Sequence, residues 1–462
     1  MTSTAAEPQT AEAPPIPARG ATRPRWERFA PKVDFALFLG GVAGLLLVLP
    51  HEIGGDGEER AKALTQLMTD GALSTNPYSL IGPLFAAPLW AVDRDWLLFY
   101  NLFVFVTALV ATYAWLRRRA DPALLRRTGV ILVGASVVAP ALANFYGEAF
   151  TLAGLGLGTL AAVRRGSTRA DRVGRAVGWI AVVLGAANTP ATLPALAVTV
   201  CLWAFWHKRL RYAIALLAAA ALVSAEKWLR YGSPSADPYA GTNDIAVTVM
   251  PYSGHGGFSY PIFFGLLGIL FSFGKGLVWY LPGLLLPARQ LLGRAADELR
   301  DAYVLWSCQV GVLVLFYAAW WSWYGGLYWG PRFFLIGILP ASLALAANLG
   351  DRAAGLAKNL AVLGVTTLSC WVGLAAVVFP GFPRQCTADY FQQEYLCHFT
   401  PEFSALWRPF VTRPELDGGQ LTVVAYTVVL WVWLAAPLVA RIAREIGGRA
   451  PRLRDLAVGW RW

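Results

Sequence analysis

The succession of apolar runs constrains this chain more than any other feature of it. Twelve recur, at residues 34–50, 96–116, 128–143, 148–163, 177–187, 192–206, 212–225, 276–288, 302–320, 333–347, 360–379 and 421–439. With 56% hydrophobic residues, only 15% charged residues and a mean hydropathy of +0.49, the chain is too apolar for a soluble globule. It reads as an all-α polytopic membrane protein of about 12 transmembrane helices. Several runs fall short of the ~20 residues that a full span needs, so helix ends must extend into polar flanks or helices must be broken.

The links between the runs carry the orientation. Arg117 to Arg119 with Arg126 and Arg127, the stretch from Arg164 to Arg175, that from His207 to Arg211, that from Arg289 to Arg300, the pair Arg352 and Lys358, and the segment from Arg441 onward are basic. They alternate with neutral or acidic links, the positive-inside pattern, which predicts both termini in the cytoplasm. The net charge of +11 is therefore a topology signal. Nowhere do the cations form the broad face that a nucleic-acid duplex needs, so the expected partner is the bilayer. The division that follows is a disordered cytoplasmic tail over 1–33, a membrane domain over 34–440 with external loops 51–95, 226–273, 320–332 and 380–420, and a basic cytoplasmic tail over 441–462. Arg23, Arg25, Arg28 and Lys32 precede a segment that looks retained as a first span rather than cleaved.

Between 225 and 289 two apolar stretches compete for one crossing. The expectation is that 260–273 lies along or dips into the outer interface before a span begins near Gly274. Irregular backbone at that depth is tolerated only inside protein or beside a wet cavity, so residues 272–276 (Ser-Phe-Gly-Lys-Gly) are a candidate cavity wall.

Four external features converge on one side. The first external loop holds seven acids against three bases between His51 and Asp95, in a chain that is basic overall. Gly54, Gly55 and Gly57 frame Asp56 and allow a sharp turn out of the first span. Beyond it, Ala61, Leu64, Leu67 and Met68 repeat at helical spacing opposite Glu58, Glu59 and Lys62, the pattern of an interfacial amphipathic helix ended by Gly71. Asp56 is either a base at the mouth of the bundle or a glycine-flanked helix cap. The second feature is Glu148 after the short turn from Asn144, either a functional acid or a carboxylate answering a helix macrodipole. Lys275, between two glycines, is either a cavity cation or a snorkelling lysine. The run from Trp320 to Phe334 carries Gly-Gly and Gly-Pro-Arg punctuation beyond what an aromatic belt requires, and Arg332 heads the following span, where a guanidinium fork can hold a phosphate. Gly154, Gly156 and Gly158 mimic a dinucleotide fingerprint, but with no strand before them they read as close helix packing.

In their order and sidedness these motifs resemble the bacterial GT-C glycosyltransferases, the group related to protein O-mannosyltransferases and the aminoarabinose transferase. The likeness runs over roughly 34–340 and rests on the acidic first loop, the acid at the top of the fourth span, the Gly-Lys-Gly wall and Trp-x-Trp-x-Gly-Gly-x-x-x-Gly-Pro-Arg-Phe. The family often shows an adjacent acid pair, whereas here Gly57 separates Asp56 from Glu58 and Glu59, so the acid that supports Asp56 is left open. The resemblance implies sugar transfer from a polyprenyl-phosphate donor to an extracytoplasmic acceptor, with inversion and with no cofactor or metal. Asp56 would be the base, Glu148 a second acid, and Arg332 and Lys275 the phosphate clamp; Glu58, Glu59, Tyr78, Trp323 and Tyr324 would complete the substrate site. A transporter or flippase is the alternative, but it predicts an internal repeat or midplane charges, and neither is evident. Among the loops, Asp237, Asp244, His255, Glu394 and Glu402 are uncommitted. Cys386 and Cys397 share an external loop and are expected to form a disulfide, while Cys201, Cys308 and Cys370 lie in apolar runs.

Overall fold

The computed structural model describes residues 25–238, 256–387 and 393–458; the tail over 1–24 and the loop residues Asp244 and His255 lie outside them. Among the described residues all regular structure is helical. The helices that matter below are α1 (Arg25–Leu47), α2 (Asp56–Asp70), α3 (Tyr100–Leu116) and α4 (Pro122–Gly134). Helix α5 starts at Gly147–Thr151, passes through a π-helical stretch at Leu152–Leu157 and ends at Gly158–Ala162. There follow α6 (Arg169–Asn188), α7 (Leu193–His207), α8 (Ala213–Tyr231), α9 (Ile262–Phe271), α10 (Asp297–Ala318), α11 (Ile338–Gly350), α12 (Leu356–Val378) and α13 (Gly418–Val458).

Eight helical stretches among the described residues are long and apolar enough to cross a membrane: Phe29–Leu47, Arg94–Leu116, Pro190–His207, Leu210–Tyr231, Asp297–Ala318, Arg332–Gly350, Leu356–Val378 and Gly418–Gly447. The count of twelve is thereby not confirmed, and each remaining run shows why it falls short of that length and composition. Helix α4 stops at Gly134, and only a short turn, Ala139–Leu142, follows. Helix α5 is interrupted by its π turn. Helix α6 opens with Arg169, Asp171, Arg172 and Arg175, too charged for an apolar window. The run 276–288 breaks into Leu277–Tyr280 and Pro282–Leu285. Helix begins at Arg25, within the stretch expected to be disordered, and α13 carries helix through Val458.

Helix α5 packs on α6 through facing glycines. A Cβ at Gly154 would stand 2.7 Å from the Ala181 carbonyl oxygen, one at Gly185 2.4 Å from the Leu155 nitrogen, and one at Gly178 2.4 Å from the Ala162 nitrogen. Gly154 and Gly158 therefore serve helix packing, as read from the sequence. The stretch Arg332–Gly350 is the most enclosed span, 83% buried, with α4, α10 and α12 against it. Buried charge inside the spans is paired: Asp34 accepts from Arg126 Nε at 3.0 Å and from Trp433 Nε1 at 2.9 Å.

As expected, the 260–273 stretch is no full span: α9 has ten residues and lies against the end of α10, where a Cβ at Gly265 would collide with the Ala318 carbonyl. The turn after it faces another way than expected. The Gly274 N–H donates to the His398 carbonyl at 3.0 Å, so this turn packs against Cys397 and His398, and residues 272–276 do not line the cavity described below.

Candidate active site

The glycine frame around Asp56 has a concrete use. Gly55 takes φ 54°, a left-handed value that turns the chain into α2, and Gly57 lies so close to Asn144 that a Cβ there would be 2.0 Å from Oδ1. The same Asn144 amide donates to the Gly54 carbonyl at 3.1 Å. The start of α2 is thus laid directly on the turn that leads into α5, and Asp56 arrives beside Glu148.

Between the two carboxylates sits Arg332. Its Nε donates to Glu148 Oε1 and its Nη2 to Asp56 Oδ2, a forked arrangement that one planar guanidinium can make and a lysine cannot. Tyr146 and Tyr328 bracket the guanidinium, with ring centroids 4.9 and 5.6 Å from Cζ. Gly325, Gly326 and Gly330 at φ 72°, 70° and 78° form the turns that deliver Arg332 to this point. The Glu148 side chain is 12% exposed and that of Asp56 27%, so Asp56 is the more open acid. Glu148 Oε2 is buried and has no hydrogen-bond partner among the described residues. Asp56 Oδ1 accepts from the Tyr78 hydroxyl at 2.7 Å. Burial pushes the Asp56 carboxyl up, but Arg332, Tyr78 and Arg60 together outweigh it and hold the group below its ordinary value of 3.8.

The loop over 74–80 that carries Tyr78 is gripped by the outer end of α8. Arg230 donates to the carbonyls of Ser74 at 2.8 Å, Asn76 at 2.6 Å and Tyr78 at 2.6 Å. Glu226 accepts from the Leu80 N–H and from the Ser79 hydroxyl, both at 2.7 Å, and pairs with Arg230 at 2.9 Å. Arg60, on α2, donates to the Ser79 carbonyl at 3.1 Å and lies over the Tyr78 ring. These three residues went unnoticed in the sequence; the signal available was Glu226 and Arg230 at i,i+4 spacing on the outer end of an apolar run.

Asp56, Glu148, Tyr78 and Arg332 all line one cavity of about 650 Å³. Its walls are amphipathic, with Trp320, Trp321, Phe333 and Phe316 on one side and Thr151, Thr189 and Thr192 on another. The π-helical stretch of α5 contributes Leu152 and Leu155, an irregularity of the kind that concentrates at functional sites.

Five expected site residues do not reach this cavity. Glu58 and Glu59 are spent on the outer face of α2, both paired with Lys62 at 2.8 and 3.0 Å. Lys275 is 3% exposed and donates to the Gly326 and Tyr328 carbonyls, one layer behind the wall, where burial pulls its ammonium down to about 7. Trp323, 1% exposed, packs beside Gly268 and His398, and Tyr324 lies on the His398 ring at 4.9 Å. These aromatics and the lysine brace the 325–330 turns from behind. Cys386 and Cys397 are bridged, with Cα atoms 6.0 Å apart, in the loop that covers this layer.

A multi-pass, all-α membrane protein with a carboxylate–guanidinium–carboxylate centre in an amphipathic cavity is the class that fold and site define. No family model matches the chain, and no curated protein matches it in sequence. Among solved structures it resembles the crystal structure of ArnT from Cupriavidus metallidurans bound to undecaprenyl phosphate, at 15% identity and a TM-score of 0.48, over 94% of this chain and 79% of that one.

Proposed function

We propose that this protein is a membrane glycosyltransferase that moves a sugar from a polyprenyl-phosphate donor to an acceptor hydroxyl on the extracytoplasmic side, with inversion. The observation that carries the reading is the fork of Arg332 between Asp56 and Glu148 in a cavity whose walls are part aromatic and part hydroxylated. Sugar transfer from a phosphate needs a base for the acceptor proton, a means of orienting that hydroxyl, and a cation near the oxygen that takes up charge. Asp56, the more exposed acid, is the base. Glu148 offers its unpartnered Oε2 to the acceptor as a second anchoring point. The acceptor oxygen bonds to the anomeric carbon from the face opposite the phosphate, the C–O bond to phosphate breaks with its electron pair, and the acceptor proton passes to Asp56. Arg332 keeps both carboxylates aligned and favours the ionised form of Asp56, and its remaining Nη1 end stabilises the departing phosphate. A base with a lowered pKa is weak, but it stays deprotonated throughout the neutral range, which suits a proton removed late in the displacement.

The alternation of basic links with neutral or acidic ones supports placing both termini in the cytoplasm and the cavity outside. The deciding experiment is turnover by purified Asp56→Asn with lipid-phosphate sugars. Loss of turnover by about 10²- to 10⁴-fold, with thermal unfolding unchanged, is expected. Turnover at the wild-type rate would remove Asp56 as base, and lipid movement across the bilayer without any glycosidic product from the wild type would replace the transferase by a flippase.

A further inference from the structure

An incoming donor brings an additional anion into a cavity whose charges are already matched. Arg332 answers Asp56 and Glu148. Arg230 is committed to Glu226 and to three carbonyls, and Arg60 is buried against Ser79 and Tyr78. Counted together, Asp56, Glu148 and Glu226 balance Arg60, Arg230 and Arg332. Two further charged residues line the cavity, Asp237 and Lys227. Asp237 has a partner of its own. Lys227 is half-buried, and among the described residues no hydrogen bond or ion pair is recorded for it.

The location of Lys227 is as informative as its freedom. It stands on the last turns of α8 next to Trp228 and Leu229, which are 65% and 73% exposed, on a helix that is itself largely exposed. Lys227 therefore stands where an exposed apolar helix face meets the cavity. Helix α7 packs against both α8 and α10. Val223 and Tyr231 from α8 and Leu313 and Phe316 from α10 line the same cavity as Asp56, so both helices border it. An amphiphile with a long apolar tail and an anionic head fits that border: the tail along α8, the head at the ammonium.

We propose that Lys227 is the residue that anchors the monophosphate of a polyprenyl donor as it enters from the bilayer beside α8, a role distinct from that of Arg332, which aligns the two carboxylates and meets the phosphate only as it departs. This rests on the transferase reading above and adds to it where the lipid phosphate is held. A lone interfacial lysine that merely snorkels would not discriminate between charged and neutral prenyl lipids, and this difference makes the idea testable.

The experiment is equilibrium binding of a long-chain polyprenyl monophosphate, and of the corresponding uncharged polyprenol, to the full chain in nanodiscs. Wild type, Lys227→Gln and Lys227→Arg are compared, with thermal unfolding as a folding control. Loss of one charge-assisted contact is expected to weaken monophosphate binding in Lys227→Gln roughly 10- to 100-fold, with Lys227→Arg within a few-fold of wild type and polyprenol binding unchanged in all three. With sugar-loaded donor, KM rises while kcat stays within a few-fold. Equal monophosphate affinity in wild type and Lys227→Gln overturns the assignment of Lys227 alone. If the wild type binds monophosphate no better than polyprenol, the lipid-phosphate reading of the whole site falls and this inference with it.

Discussion

At the scale of single residues, the centre is a competition between burial and charge. Asp56 lies largely out of water, which opposes ionisation, yet Arg332, Tyr78 and Arg60 reverse the balance and lower its pKa. The sign has a direct consequence. A carboxylate with a depressed folded-state pKa contributes stability that is present above its unfolded value and is lost only as pH falls through the lower folded value. Activity governed by Asp56 is therefore expected to hold level from neutral pH down to the ordinary carboxylate value of 3.8 and to decline only below it. A pH–rate profile with a limb near 6 would assign the proton transfer to another group. Arg332 carries the second expectation at this scale. Arg332→Ala leaves two carboxylates facing each other without a counter-ion and should cost about 3 kcal/mol of stability along with turnover. Arg332→Lys retains the charge and should lose less stability, yet it cannot fork between Asp56 and Glu148, so turnover should still fall. Thermal melts and initial rates on the same samples separate the two effects.

Among the elements, short irregular pieces do the positioning and long helices provide the frame. The 74–80 loop is held by Arg230 and Glu226 of α8, and through Tyr78 it sets one oxygen of Asp56. The 325–330 turns are held from behind by Lys275, and they set Arg332. The Cys386–Cys397 bridge closes a loop with a sequence separation of 11, for which chain entropy gives about 3 kcal/mol. His398, the residue after Cys397, supplies the carbonyl that receives the Gly274 N–H, so the bridge acts on the layer behind the site and not on the cavity itself. Cys386→Ser should accordingly lower the melting temperature by several degrees and leave turnover within a few-fold of wild type. Alkylation of both cysteines in unreduced protein would show that no bond forms.

Across the whole molecule, the alternation of basic and acidic links implies a sidedness that labelling can read. Ser74→Cys, in the loop beside Asp56, should react with a membrane-impermeant maleimide added outside intact cells. Ala353→Cys, next to Arg352 in a basic link, should react only after the membrane is opened. Labelling of Ala353→Cys from outside, with Ser74→Cys reacting only after the membrane is opened, would invert the topology and place the Asp56 centre in the cytoplasm. The spans also differ in what they touch: the stretch from Arg332 is enclosed by protein, whereas α8 is mostly exposed.

The sequence by itself was enough to establish that this is an all-helical membrane chain, because apolar length and the placement of Arg and Lys act locally, run by run. It also singled out Asp56, Glu148 and Arg332, since glycine frames and charges at the ends of apolar runs are local signals too. It did not settle the number of spans, because a run such as 276–288 is apolar enough for lipid but breaks into short helices. Nor did it show which acid supports Asp56. Glu58 and Glu59 are two and three residues away along α2, but helical geometry turns them onto the outer face with Lys62, whereas Glu148 reaches the site through the contact of Gly57 with Asn144. Trp323, Tyr324 and Lys275 likewise fell one layer behind the cavity, because the three positive-φ glycines reverse the chain around them. Which side chains share a cavity depends on how distant segments pack, and that is the part only the tertiary structure decided.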